Sequence, residues 1–269
     1  MGNLTYSATV PTVTGLPWPG VNYFCTTRLG GVSGEPWSSL NVGLHTDDDN
    51  AHVLANRQLL RAGLPAEPVW LNQVHGAQVF DADQSTQLMP DCAAVPPNAD
   101  AAVTTQTNRV LAIMTADCLP VVIACSEGRA LGVAHAGWRG LAAGVLEQTL
   151  LALRKRAPGS AAWRAWIGPA IGQRHFEVGA DVYAAFVDQN EQSAVFFAEK
   201  IPGKKWLADL PSLARQRLHK AGVGNIELSG YCTFSQPDMF YSYRRNPRTG
   251  RLVTLAWLDG KQGVLQGDK

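Results

Sequence analysis

Four short segments rich in apolar and β-branched residues, Ala101–Thr104, Val110–Thr115, Val121–Cys125 and Ala130–His135, follow one another with only four or five residues between them. Connections that short cannot make the crossover that parallel strands require, which takes a dozen residues or more. A doubly wound parallel sheet is therefore excluded for this stretch, and a mixed sheet is expected. Similar patterns mark strands at Val21–Thr26, Ala165–Ile167, Ile226–Thr233 and Leu252–Ala256, with a hairpin turn at Gly128-Arg129.

Helical periodicity is clearest over Leu141–Arg156, where Leu141, Val145, Leu146, Thr149, Leu150 and Leu153 form one face and Lys155 and Arg156 close the end. Shorter helices are expected at Val53–Ala62, Ala180–Asp188 and Leu210–Ala221, and Asp47-Asp48-Asp49 reads as a turn that caps the first of them. No repeat or low-complexity linker divides the chain. The fold class expected is α/β, a single domain over residues 1–269 with a mixed β-sheet layered against flanking helices.

Charge excludes some partners. With 23 basic and 22 acidic residues and no long run of either sign, nothing favours nucleic acid or a membrane surface. No stretch approaches the ~20 apolar residues of a membrane span, so a cytoplasmic protein acting on a small molecule, as a monomer, is the expectation. The five cysteines, Cys25, Cys92, Cys118, Cys125 and Cys232, are odd in number and form no C-x-x-C pair. They read as reduced thiols with room for one reactive or metal-bound member.

Three segments put a chemically capable side chain at the end of an expected strand or just before a glycine-containing turn: Asn72-Gln73-Val74-His75-Gly76, Thr115-Ala116-Asp117-Cys118-Leu119-Pro120 and Ala134-His135-Ala136-Gly137-Trp138-Arg139-Gly140. Strand ends form the rim of a sheet, where distant segments converge on ligands. His75, Cys118 and His135 make a two-imidazole, one-thiolate set suited to Zn²⁺ with a fourth position open, as in catalytic zinc sites. The same three also suit a Cys118 nucleophile with a His75 or His135 base. As plain structure, Cys118 and His135 are buried strand residues. Their spacing matches no compact zinc signature, and the residues alone leave the three readings open.

Around them, Arg139 precedes a helix start, and Arg28 precedes Gly30-Gly31; both are candidate phosphate-binding residues, with Asn41 a further substrate-binding candidate. Asp117 is a candidate proton shuttle. Tyr241-Ser242-Tyr243-Arg244-Arg245 offers stacking surface and donors to a planar base or sugar, or is plain sheet edge, and is assigned to the surroundings of the site; His45 is a ligand-contacting residue or a loop histidine, the loop reading being preferred.

These segments, together with Thr27-Arg28-Leu29-Gly30-Gly31-Val32-Ser33, Leu40-Asn41-Val42-Gly43, Asn56-Arg57, Ala99-Asp100-Ala101 and Ile167-Gly168-Pro169-Ala170-Ile171, resemble the YfiH-like proteins over about residues 24–257. Members of that family are variously named polyphenol oxidases, purine nucleoside phosphorylases and peptidoglycan editing factors. The resemblance implies a zinc ion held by His75, Cys118 and His135. It also implies phosphorolysis of adenosine, inosine, guanosine or methylthioadenosine, with adenosine deamination at the same site. An editing hydrolase acting on peptidoglycan precursors, through Cys118 or an activated water, needs the same residues. A copper-dependent phenol oxidase fits less well: six histidines with no His-x-His pair are too few for clustered copper, although Cu²⁺ would compete for an N/S site in vitro.

Overall fold

The structure, a computed structural model, describes residues 3–7, 10–84 and 95–260. The chain opens with β1 (Asn3–Ser7), β2 (Val10–Thr14), β3 (Val21–Thr26) and α1 (Asn50–Arg61). Five strands follow: β4 (Val79–Asp81), β5 (Ala101–Thr104), β6 (Leu111–Thr115), β7 (Leu119–Cys125) and β8 (Leu131–Ala136). Beyond α2 (Trp138–Ala142), α3 (Val145–Arg156) and β9 (Trp163–Ile167) come β10 (Glu177–Gly179), α4 (Ala180–Val187), β11 (Phe197–Ile201) and β12 (Lys205–Ala208). The last elements are α5 (Leu210–Lys220), β13 (Asn225–Leu228) and β14 (Leu252–Leu258).

This is the expected α/β fold, with its strands divided among sheets. One sheet is antiparallel, in the order β1-β2-β3-β14-β6; a mixed sheet runs β13-β9-β7-β8-β5-β4; a small one runs β10-β12-β11. Among the described strands, parallel ladders lie at the two margins of the mixed sheet, β13 with β9 and β4 with β5. The β7–β8 hairpin turns at Gly128, as expected, with φ 65° there.

Alternation explains the stacking. In β6, Leu111 and Ile113 meet Val122, Ala124, Leu131 and Val133 of the mixed sheet, while Ala112 and Met114 face the layer that holds Leu60 and Leu64. In β7, Leu119, Val121 and Ile123 turn the other way, toward Leu146, Leu150 and Leu153 of α3. The central strands β6 and β7 are therefore buried on both faces. Strands in that position carry continuous apolar runs instead of strict alternation, which is why they were legible.

Three expectations are corrected. The Leu141–Arg156 helix is two helices, because Gly144 takes φ 90° between α2 and α3. The Ile226–Thr233 strand stops at Leu228, ahead of a turn with Gly230 at φ 76°. The β10–β12 sheet was missed because β11 carries exposed Glu199 and Lys200 and no apolar run. The capping role of the acidic triplet holds: the Asp49 side chain accepts a hydrogen bond from the Ala51 amide at 2.8 Å. Cys25, Cys118, Cys125 and Cys232 are free thiols, and Cys92 lies outside the described residues.

Gly144 gives a first prediction. An added Cβ would meet nothing closer than 3.6 Å, so the cost of Gly144→Ala is conformational: an L side chain in left-handed backbone, about 1–2 kcal/mol. Urea unfolding should show that loss; unchanged stability would mean that the α2–α3 joint re-forms without φ > 0.

Candidate functional site

Strand directions bring the three candidate side chains to one edge. β8 runs antiparallel to both β5 and β7, so its end lies beside their beginnings. Leu119 pairs with Ala136 and Pro120 with His135, which leaves Cys118 one step beyond the ladder next to His135. β4 is parallel to β5, so the loop before β4, which carries His75, arrives at the same edge. His75 and Asp117 have φ of 61° and 95°, left-handed values that are uncommon outside glycine and that cluster at functional sites.

Asp100, just before β5, holds this edge together. Its carboxylate is fully buried. Oδ1 accepts from the His75 amide at 2.9 Å and lies 2.8 Å from His135 Nδ1, while Oδ2 accepts from the amides of Val74 and Gly76 at 3.1 and 2.7 Å. One carboxylate thus shapes the His75 loop and orients the His135 ring, leaving Nε2 of that ring for a ligand. Gln73 anchors the same loop to β6 through both backbone groups of Met114, each at 2.8 Å.

The donor atoms of His75, Cys118 and His135 all lie within 4.8 Å of one another, with Cys118 Sγ 4.0 Å from His75 Nε2. Metal bonds of roughly 2.0 Å to nitrogen and 2.3 Å to sulfur, meeting at a tetrahedral angle, put such donors about 3.5 Å apart. Next to them is Gly137, where a Cβ would come within 2.9 Å of His75 Cδ2 and 3.0 Å of Cys118 Sγ. The space beside the donors exists because that residue has no side chain. Burial pushes the Cys118 thiol up, but His135 and His75 outweigh it and bring its pKa down to about 6, giving the thiolate that metals bind. Burial lowers the proton affinity of His135, and the Cys118 charge with the Asp100 hydrogen bond reverses that and raises it. Donor types, convergence and the open side suit one zinc ion. Among the described residues this is the single cluster of its kind.

The donors open on a cavity of about 450 Å³ between corresponding ends of the two large sheets. Its other wall comes from the end of β6 and the residue before β14, since Leu252 pairs with Thr115. There the expectations diverge from the structure. Arg139 is exposed with its guanidinium 4.2 Å from the Trp138 ring centroid, outside the cavity, and α2 is a single short turn with little dipole to offer. Arg28 donates to the carbonyls of Ser38 and Pro237 and holds those loops. Asp117 is no free proton shuttle: its carboxylate accepts from Thr233 Oγ1, Ser242 Oγ and the Arg244 amide.

Asn41 is buried with its amide consumed internally. Nδ2 donates to Thr46 and Asp48, and Oδ1 accepts from the amides of Gly43 and Arg251. It acts on the cavity only by placing Arg251. The residues that sequence reasoning missed are Asp100, inside a motif it quoted, and the cavity-lining Arg251. Tyr243 and Arg244, assigned to the surroundings of the site, and His45, for which the loop reading was preferred, also line the cavity.

The fold and this site define a known class. A family model described as multi-copper polyphenol oxidoreductase laccase matches residues 22–259, and the chain belongs to that family. The chain is 47% identical over 250 residues to a protein of Xylella fastidiosa (strain Temecula1) named purine nucleoside phosphorylase, covering 90% of this chain and 94% of that one. It is 43% identical over 246 residues to purine nucleoside phosphorylase YfiH of Escherichia coli (strain K12), covering 90% and 96%. Among solved structures it resembles YlmD of Geobacillus stearothermophilus, with TM-score 0.85, 31% identity and coverage of 95% and 98%. It also resembles a Neisseria meningitidis protein of the DUF152 family, with TM-score 0.83, 41% identity and coverage of 93% and 98%. Among the described residues no helix is long and apolar enough to cross a membrane.

Proposed function

We propose that this protein is a zinc-dependent purine nucleoside phosphorylase that also deaminates adenosine at the same site. The observation that carries the reading is the convergence of His75, Cys118 and His135 at the mouth of a cavity whose opposite wall is cationic. The names borne by the relatives give the substrate class. In phosphorolysis a phosphate oxygen bonds to the anomeric carbon as the glycosidic C–N bond breaks, and the purine leaves with one proton. In deamination water replaces the exocyclic amine, which leaves as ammonia.

A bound zinc would supply Lewis acidity, polarising an oxygen held against it. The chain's own residues do the rest. Asp100 keeps His135 in one tautomer and orientation. The exposed Tyr243 ring is stacking surface for a planar base at the cavity wall. The guanidinium groups of Arg244 and Arg251 offset negative charge there.

Phenol oxidation by several coppers, as the family's description has it, calls for more donors than one three-ligand cluster provides. Copper in this one site would be a competitor of zinc, favoured by the Irving–Williams order. The test is product analysis with inosine. Hypoxanthine and ribose 1-phosphate should form only when phosphate is present. Free ribose, formed equally without phosphate, would make the enzyme a hydrolase and end the phosphorylase reading.

A further inference from the structure

We propose that Arg251, with Arg244 at the cavity mouth, forms the oxyanion subsite that receives inorganic phosphate. The identity of the anion rests on the phosphorylase reading; the subsite rests on three observations.

First, both guanidinium groups line the cavity, yet among the described residues neither is in an ion pair. Arg251 spends only one nitrogen, on the carbonyls of Thr249 and Gly250 at 3.1 Å each. Arg244 spends one on the Glu177 carbonyl at 2.9 Å. Acids in the neighbourhood are already engaged: Lys200 holds the Glu177 carboxylate at 2.6 Å, and Asp117 is fully bound.

Second, the half-buried Arg251 is held in place. Asn41 Oδ1 accepts from its amide at 2.9 Å, and Gly43 leaves room for its stem, since a Cβ there would fall 2.7 Å from Arg251 Cγ. A cation held this firmly in a cavity wall, with no carboxylate in ion-pair contact among the described residues, is an arrangement for binding an anion.

Third, Arg251 lines the same cavity as His75, Cys118 and His135, so an anion held by its guanidinium lies in the space on which the donor cluster opens.

The experiment titrates inorganic phosphate into the zinc-loaded protein by calorimetry and measures its KM in base release from inosine. Arg251→Met, which keeps the stem but not the charge, should weaken phosphate binding about ten- to a hundredfold, with zinc content and inosine KM little changed. Arg251→Lys should recover part of that, and Arg244→Met should weaken binding less, because its guanidinium is exposed. Arg139→Ala should leave phosphate affinity as it was. Phosphate binding unaltered in Arg251→Met, or absent from the wild type, overturns the subsite. Phosphate bound through Arg251 without any nucleoside turnover would leave the subsite standing and remove the phosphorylase reading. Turnover with a phosphate KM unmoved by Arg251→Met would do the opposite.

Discussion

Cys118→Ala is expected to purify without zinc, where the wild type carries about one per chain, and to lose both phosphorolysis and deamination by at least about 10²–10³-fold. The reasoning is geometric. Three donors within 4.8 Å are the minimum for a tightly held catalytic ion, and removing the thiolate leaves two imidazoles that bind weakly. His75→Ala should behave in the same way although its side chain is exposed, since its contribution is a coordinate bond and not packing. Atomic absorption on the purified variants checks the metal, and product analysis checks the chemistry. A metal-free wild type with full activity would sink the metal reading and promote a Cys118 nucleophile beside a histidine base, for which the lowered thiol pKa is also suited.

Asp100→Ala should have the largest effect on stability of any single change at the site. The carboxylate is completely buried and holds the amides of Val74, His75 and Gly76 and the ring of His135. Deleting it leaves those donors without their acceptor, at a cost of about 3–5 kcal/mol and a fall in Tm of roughly 10 °C. Zinc affinity should drop about 10–100-fold as well, because His135 loses its orienting partner. Asp100→Asn keeps the Oδ1 acceptor but turns an amide toward Val74 and Gly76, so it should lie between the two. Calorimetric unfolding with and without a chelator separates the fold's share from the metal's. Wild-type Tm and zinc content in Asp100→Ala would show that the His75 loop is held by Gln73 alone.

Arg28 and Arg139 stand out in the sequence by the glycines near them, the local pattern of an anion loop, whereas Arg251, which lines the cavity, declares itself only through what surrounds it in the fold. Asn41, a substrate-binding candidate on the sequence, has its side-chain amide engaged within the protein. Its amide reaches the cavity by way of the Arg251 backbone, 210 positions away in the chain. Asp117 was similar: a carboxylate next to Cys118 invites a proton-transfer role, and only the folded chain shows Thr233, Ser242 and Arg244 occupying it.

By itself the sequence determined what local chemistry and periodicity control. The apolar runs of β5 to β8 forced short, buried, non-parallel strands; the glycine at 128 forced their hairpin; and the residue types at 75, 118 and 135 set the metal chemistry available. Resemblance to a family then joined those three residues into one set. What only the tertiary structure decided is which charges are free. Charge is a property of a residue, but its availability depends on partners brought from far along the chain, by strand register, into a buried space where each unpaired donor or acceptor is costly. Sheet stacking placed Asp100 under two histidines and left Arg251 lining a cavity whose carboxylate, Asp117, is already engaged by Thr233, Ser242 and Arg244, and neither outcome is written in the neighbourhood of those residues.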